Sequence, residues 1–437
     1  MKIMNSTIKL KNNIKMKDSG VDWIGDIPNS WLLLNNRAVL SFANNGKNLT
    51  NDTVVLSLTI SGVKIKKDLN FGKSTNSYIG HQIVKPGNLV FTPRDFDQTP
   101  ILSGVSDHYG CISNLYFVLN SKKDACNEFV NYYWWGIKYG VDYFNQFSYG
   151  MRSSFNRSQF NSIPFLRPPK EEQEKVVDFL DEKTENISLL IKKKKKMIEL
   201  LKEKRSSIIT HAVTKGLDPN VEMKDSGVDY IGRIPSSWEF KKTSQVFTKI
   251  GSGTTPSSGS VDYYNNGGEY WVQSGDLNAD ILRDTKKKIT QKAVLECSAL
   301  RFYEKDSIVI AMYGASVGNL SLIKINATTN QACCVLPRTE KINSKFAFYY
   351  YLISKDTLIS LGQGGSQPNI NKELIKSFKI LLPSKEIQKE IVKYLDKKTS
   401  EIDSIISKIE KQIKLLGEHK ASLIYHAVTG KMQEQIQ

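Results

Sequence analysis

The feature that constrains this chain most is that it contains itself twice. Residues 16–31, MKDSGVDWIGDIPNSW, return as residues 223–238, MKDSGVDYIGRIPSSW, with 13 of 16 positions identical and no gap. Chance does not produce such a match at this length, so the chain is an internal duplication, and that governs every later assignment. A second match sets the size of the unit. EEQEKVVDFLDEKT (171–184) aligns with EIQKEIVKYLDKKT (386–399), and ITHAVTKG (209–216) with IYHAVTGK (424–431). The first motif recurs after 207 residues and the others after 215, so each half is about 200 residues long. Two copies of this size are not a solenoid, whose short units need at least three. Each half is long enough to bury its own core.

Each half closes with one long helical pattern. In the second copy Val392, Leu395, Thr399, Ile402, Ile406, Ile409, Ile413, Leu416, Lys420, Leu423 and Ala427 keep an unbroken alternation of three and four. This is an a/d stripe over five heptads. The first copy repeats it in register: Val177, Leu180, Thr184, Ile187, Ile191, Lys194, Ile198, Leu201, Arg205, Ile208 and Ala212. The polar positions Thr184 and Arg205 match Thr399 and Lys420, and polar seam residues fix register while weakening the seam. A lone helix with such a stripe needs a partner, and the natural partner is the other copy. From Val177 to Ala212 the helix would run about 54 Å at ~1.5 Å per residue, the length of a spacer. Pro168, Pro169 and Pro383 stand where helices start, and Gly216 and Gly430 where they stop.

Charge narrows the partners. The 437-residue chain carries a formal +17, which points to a polyanion, either nucleic acid or an anionic membrane surface. No apolar run approaches 18 residues, and the N-terminal segment lacks the apolar core of a secretory signal. Five cysteines without a CxxC pair argue against a zinc ribbon and for a reduced, cytoplasmic setting; Cys333 and Cys334 read as buried thiols in a strand. The lysine run 192–196 is either a solvated helix face or a stripe facing phosphate, with Lys194 on the seam.

Between the repeats lie two β-rich segments, 32–167 and 239–382, which differ far more than the repeats do. One helical segment in each, 128–144 and 345–361, carries an aromatic cluster, Tyr132, Tyr133, Trp134 and Trp135 against Tyr349, Tyr350 and Tyr351. At helical spacing these read as core packing. The second segment offers GSGTTPSSGS (251–260), YGASVG (313–318) and GQGGSQPN (362–369) as polar loops with free amides; the first offers FTPRDF (91–96) and YGMRSSFNRS (149–158). Each is either a contact loop or an ordinary surface turn. No catalytic engine is visible: no GxxxxGK[ST], HExxH, GxSxG or GxGxxG, and no metal-ligand spacing among five histidines. His211 and His426, repeated at the helix ends, read as capping or packing residues.

These features together resemble the specificity subunit of type I restriction-modification systems. The duplicated SGVDWIGDIPNSW and SGVDYIGRIPSSW leads, the paired helix starts and the HAVTKG end carry the resemblance, and GSGTTPSS, YWVQSGDL and YGASVGN match the family's second-head pattern. The first head lacks a Gly-Thr-Thr-Pro loop and looks like a different variety of the domain. The resemblance implies an α+β fold. Residues 16–167 and 223–382 are then target recognition domains, and 168–216 and 383–430 are helices pairing as an antiparallel coiled coil with pseudo-twofold repeat. It implies a non-catalytic chain that reads a split target in double-stranded DNA. Methyltransferase subunits, two in number, and motor-nuclease subunits would dock on it. S-adenosylmethionine, ATP and Mg2+ would belong to those partners and not to this chain.

Base readout on such heads would fall to loop side chains that reach the major groove, with lysine and arginine on phosphate. The candidates in the first head are Ser57, Thr59, Arg94, Asp95, Tyr109 and Arg152. In the second they are Thr254, Thr255, Ser257, Gln273, Ser274, Tyr313, Ser316, Ser366 and Gln367. Arg94 is either a guanine contact or one half of a salt bridge with Asp95 or Asp97. The rivals that stay open are a nuclease with an unrecognised acidic site, a non-DNA scaffold or membrane-surface protein, a specificity subunit of another restriction class, and a non-catalytic DNA-binding scaffold.

Overall fold

The computed structural model describes residues 15–68, 75, 77–96, 100–147, 154, 156–228, 231–362 and 369–436. It divides into two units, residues 1–195 with 410–437 and residues 196–409. Four helices organise them: α1 (Asn127–Val141), α2 (Lys170–Lys215), α3 (Ser344–Ile353) and α4 (Lys385–Val428). The first unit holds α1, the start of α2 and the end of α4. The second holds the end of α2, α3 and the start of α4.

The two leads fold alike because their sequences dictate the same local bonds. Met16–Asp18 pairs with Asp26–Pro28 and Met223–Asp225 with Arg233–Pro235, both antiparallel and in one register. The Asp18 and Asp225 carboxylates each accept the backbone N–H two residues on, from Gly20 and Gly227, at 2.9 Å. Each hairpin delivers an isoleucine and a tryptophan to a core: Ile27 with Trp31, and Ile234 with Trp238. In the first unit Trp31 also donates its indole N–H to Glu172, 2.7 Å away in the first turn of α2.

Within each unit the long helices run antiparallel. In the first, Lys420 donates to the Ser188 hydroxyl (2.9 Å) and Lys194 to the Gln412 amide oxygen (2.7 Å), so one index falls as the other rises. In the second, Arg205 meets Asp403, and Ile209 and Ala212 share a core with Val392 and Leu395. Burial along the seam is uneven. Val177, Leu180, Val392, Leu395, Ile402, Ile406 and Ile409 are buried, whereas Ile187, Ile191, Ile198, Leu201, Ile208, Ile413, Leu416 and Leu423 are half-buried. Both helices end at a glycine in the left-handed region, Gly216 (φ +81°) and Gly430 (φ +78°), where a side chain would be strained.

Each head is tied off by its own two ends. Leu32–Asn35 pairs with Pro164–Arg167, and Glu239–Lys242 with Lys379–Leu382. Inside, the heads differ. The first has a four-stranded antiparallel sheet ordered Leu40–Phe42, Phe117–Ser121, Leu89–Phe91, Ser103–Val105. The second has a four-stranded mixed sheet ordered Ile281–Leu282, Leu320–Ile323, Ile308–Ala311, Cys333–Leu336, whose first pair is parallel. A three-stranded sheet ordered Lys288–Ile289, Glu269–Val272, Thr328–Thr329 accompanies it, its first pair antiparallel and its second parallel. The segment expected as one helix over 345–361 is two. α3 stops at Ser354, whose hydroxyl bonds the Tyr350 carbonyl at 2.8 Å, and Lys355–Ser360 begins a second helix. Cys333 and Cys334 are buried, and burial pushes each thiol up to about 12.

The aromatic cluster joins head to helix. Tyr132 donates its phenol to Asp181 at 2.6 Å, and Tyr349 to Asp396 at 3.0 Å; the same phenols lie 3.3 Å and 3.4 Å from the hydroxyls of the seam residues Thr184 and Thr399. The neighbouring Tyr133 and Tyr350 donate to the Pro164 and Lys379 carbonyls. Tyr133, Trp134, Tyr350 and Tyr351 are fully buried, as core packing requires.

Candidate nucleic-acid interface

The second head gathers its candidate residues at one end of its strands. The Asn330 N–H donates to the Val272 carbonyl (3.0 Å), Met312 N–H to Ala332 (2.8 Å) and Ile370 N–H to Met312 (2.8 Å). These bonds bring the residues after Glu269–Val272, after Ile308–Ala311 and before Cys333–Leu336 side by side. Gln273, Ser274 and Tyr313 lie there, Tyr313 being 38% exposed. The 251–256 loop joins them: the Thr255 hydroxyl donates to the Gln331 side chain at 2.6 Å, and the Trp271 indole to the Thr254 carbonyl at 3.2 Å. Ser257 is exposed and Ser316 half-buried nearby in sequence.

The glycines of that loop have a different reason from the one the sequence suggested. Gly251 does not leave its amide free. Gly251 N–H donates to Val335, and a Cβ on Gly253 would sit 1.7 Å from the Thr329 carbonyl oxygen. At these two glycines the loop is pressed onto the sheet, while Thr255 and Ser257 are exposed and Thr254 is half-buried. YGASVG is likewise a closed turn, with Gly318 N–H on the Ala311 carbonyl at 2.9 Å and Asn319 N–H on Ser316 at 2.9 Å. Gln331 and Asn330 were missed in the sequence. The signal was the pair of amides in TTNQACC just before a strand, since asparagine and glutamine are the side chains that pair with adenine.

The first head does not gather its candidates. Arg94 and Asp95 follow the end of Leu89–Phe91, whereas Tyr109 follows Ser103–Val105, whose last residue pairs with Leu89 at the other end of the same sheet. Arg94 is exposed and, among the described residues, makes no ion pair with Asp95; Asp97 lies outside them. Asp95 has φ +52°, a left-handed backbone that holds the segment in a tight turn. Thr59 spends its hydroxyl on the Gly62 carbonyl (2.8 Å), closing the Leu56–Thr59 and Gly62–Ile65 hairpin, so it is engaged within the turn. Ser57 faces Lys64 across that hairpin, and Tyr109 is 57% exposed. Arg152, Ser366 and Gln367 lie outside the described residues. Of the repeated histidines, His426 is half-buried with its ring nitrogen 3.2 Å from the Ser422 hydroxyl, and burial lowers its pKa; His211 is exposed.

Among the described residues, no group of three or more His, Cys, Asp or Glu side chains could hold a metal ion, and no helix is long and apolar enough to cross a membrane. The fold therefore defines a duplicated α+β protein with two unlike heads, each seated on an antiparallel pair of helix segments.

Comparison with known proteins places that architecture. Residues 235–415 match the family described as Type I restriction modification DNA specificity domain. The chain is 27% identical over 182 residues to the specificity subunit of the type I restriction enzyme EcoR124I/EcoR124II of Escherichia coli, covering 40% of this chain and 45% of that protein. It is 26% identical over 192 residues to the MjaVIII specificity subunit of Methanocaldococcus jannaschii, covering 44% and 42%. The matched stretches thus span less than half the length of either relative. A chain from a solved structure concerned with complex assembly and conformational transition of the type I R-M system superposes with a TM-score of 0.69. That match covers 92% of this chain and 98% of the other at 15% identity, a likeness of fold. The resemblance read from the duplicated motifs, to specificity subunits of type I systems, is borne out.

Proposed function

We propose that this chain is the non-catalytic specificity subunit of a type I restriction-modification enzyme. Each head reads one half of a split target in double-stranded DNA, and the helix pair fixes the gap between the halves. The observation that carries this reading is the duplication itself: the same lead, the same tyrosine–threonine–carboxylate joint and the same helix stripe carry two heads whose sheets differ. A scaffold kept alike under heads that diverge is what separate recognition of two half-sites requires. The net charge of +17 supports salt-dependent phosphate affinity. The second head's cluster of Thr255, Gln273, Tyr313 and Gln331 supports base-edge contact from one face, and Arg94 is the strongest guanine reader in the first.

Methyltransferase subunits and motor-nuclease subunits dock on this chain in the same proposal, in the cytoplasm. They bring S-adenosylmethionine, ATP and Mg2+.

The test is a head exchange. Replacing residues 239–382 by the matching segment of a relative, in the full chain with its methyltransferase partner, should change one half of the methylated sequence and leave the other. A change in both halves at once would sink the two-headed reading. Cleavage of DNA by the purified chain with magnesium alone would favour a nuclease instead.

A further inference from the structure

The sheets of the two heads differ, yet one strand pair is common to both. Leu89–Phe91 pairs antiparallel with Phe117–Ser121, Leu89 opposite Leu119 and Val90 opposite Val118. Ile308–Ala311 pairs antiparallel with Cys333–Leu336, Ile308 opposite Leu336 and Val309 opposite Val335. In both heads the second of these strands leads into the head helix. α1 starts at Asn127, eight residues past Leu119, and α3 at Ser344, eight past Leu336. The pairs therefore match residue for residue, with Leu89 in the place of Ile308 and Leu119 in the place of Leu336. Counted outward from them, Arg94 takes the place of Tyr313, and Asn114 the place of Gln331.

Tyr313 and Gln331 belong to the gathered end of the second head. Because the first head's pair is antiparallel, the residues after Phe91 and those before Phe117 leave the sheet at one end. Arg94 and Asn114 share that end.

Asn114 is exposed, yet its side chain is fixed. Its amide oxygen accepts from the Lys47 ammonium at 2.7 Å, and its amide nitrogen donates to the Gly80 carbonyl at 3.0 Å. Gln82 fastens the backbone on either side, donating to the carbonyls of Ser113 and Tyr116 at 2.9 Å and 2.8 Å. An asparagine amide has two N–H donors and two acceptor lone pairs. After these bonds one donor and one acceptor remain for a partner outside the protein. A donor beside an acceptor is the pattern that pairs with N7 and N6 of adenine in the major groove. The inner bonds hold the amide in one orientation, so less side-chain freedom is lost on binding. Leu115 and Ile79, next in sequence to Asn114 and Gly80, are exposed apolar side chains of the kind that contact a thymine methyl.

We infer that Asn114 reads one adenine of the first head's half-site through its amide, with Lys47 and Gly80 as its positioning partners. This rests on the DNA-binding reading, and the experiment separates the two. The full chain with its methyltransferase partner is offered duplexes randomised across both half-sites. The methylated sequences are then read for the parent, Asn114→Ala and Asn114→Asp. The affected half-site should be the one that exchange of residues 239–382 leaves alone. There Asn114→Ala should lose about tenfold or more of the preference for adenine at one position. Asn114→Asp keeps the Lys47 contact but can only accept, so it should turn that position toward cytosine. The other half-site should keep parent fidelity in both variants.

Parent fidelity at every position in both variants overturns the assignment and leaves DNA recognition standing. So does a uniform loss of methylation over all sequences, which marks a phosphate contact, or relaxation at a position that the parent reads as G·C. Melting temperatures are measured beside these; if Asn114→Ala fails to fold, Asn114→Asp decides on the same outcomes. A parent complex without sequence preference removes the DNA reading itself, and the part of Asn114 with it.

Discussion

The two head–helix joints answer one question in two ways. In the second unit Arg205, on the seam, is ringed by Asp403 and Asp280; burial disfavours its charge, but the two carboxylates outweigh that and raise its pKa. In the first unit the matching residue is Lys420. Among the described residues it bonds the Ser188 hydroxyl and pairs with no carboxylate, and burial lowers its pKa. A cleft of about 510 Å³ stands open there, lined among others by Trp135, Tyr139, Asp181 and Lys420. What closes the first joint instead is backbone proximity. A Cβ on Gly140 would lie 2.5 Å from the Tyr425 side chain, and one on Gly136 would lie 2.8 Å from Val428. Tyr425 in turn donates to the Trp23 carbonyl at 2.5 Å. The contacts kept alike are those made to backbone and to the buried tyrosines. The contacts that diverged are the charges around them. A duplicated scaffold keeps what sets its geometry and frees what only tunes its surface.

That contrast can be broken most sharply at the glycines. Gly140→Leu should cost the first unit about 1–3 kcal/mol, because overpacking against Tyr425 forces α1 off α4. The matching residue, Thr357, is half-buried, and Thr357→Leu should stay within ~0.5 kcal/mol. Urea denaturation of both variants measures this, and equal losses would end the claim that the first joint depends on close approach.

A smaller separation is expected at the seam cations. Arg205→Met should destabilise by about 1–2 kcal/mol, since its side chain is only 17% exposed and two carboxylates lose their partner. Those carboxylates are 41% and 51% exposed, so solvent takes up much of the loss. Lys420→Met should change stability by ~0.5 kcal/mol or less, because it breaks one hydrogen bond and relieves a desolvated charge. Thermal melts of the two single variants decide it, and a larger loss at Lys420 would reverse the comparison.

The shared part of the joint should respond equally. Tyr132→Phe and Tyr349→Phe each remove a phenol bonded to a carboxylate and should each lose about 1 kcal/mol. Unequal losses would show that the two joints differ in their tyrosines as well as in their charges.

The smallest effect is a pH dependence. Burial pushes Tyr349 up to about 12, with Asp396 adding to it and the Thr399 hydrogen bond pulling the other way. Free tyrosine ionises near 10, so the unfolded chain loses this proton first. The contribution is fully present below about pH 10 and is lost as pH rises from there toward 12. Tyr349→Phe should flatten that part of an alkaline stability profile, and an unchanged profile would mean that other groups account for it.

The duplication, the two long helices and their seam were written in the sequence, because an a/d stripe is a local pattern that any strip of helix must bury. Gly216 and Gly430 marked the helix ends for an equally local reason, the left-handed backbone only glycine adopts without strain. The stripe is blind to which stretch it meets. Nothing in the order of residues says that the end of α4 packs on the first head, or that Gly136 and Gly140 are small because Tyr425 and Val428 lie against them. The heads were legible only as β-rich. That Arg94 follows one sheet while Tyr109 leads into a strand of another, and that Thr255, Gln273, Tyr313 and Gln331 gather together, follows from strand order, which alternation cannot encode. The glycines of 251–256 looked like a loop open to a ligand, yet in the tertiary structure Gly251 lies against Tyr303 and Gly253 against Thr329. Periodic burial is decided residue by residue along the chain. Strand order, close approach and the sign of charge at a joint are decided between segments far apart in sequence, and only the folded chain brings those together.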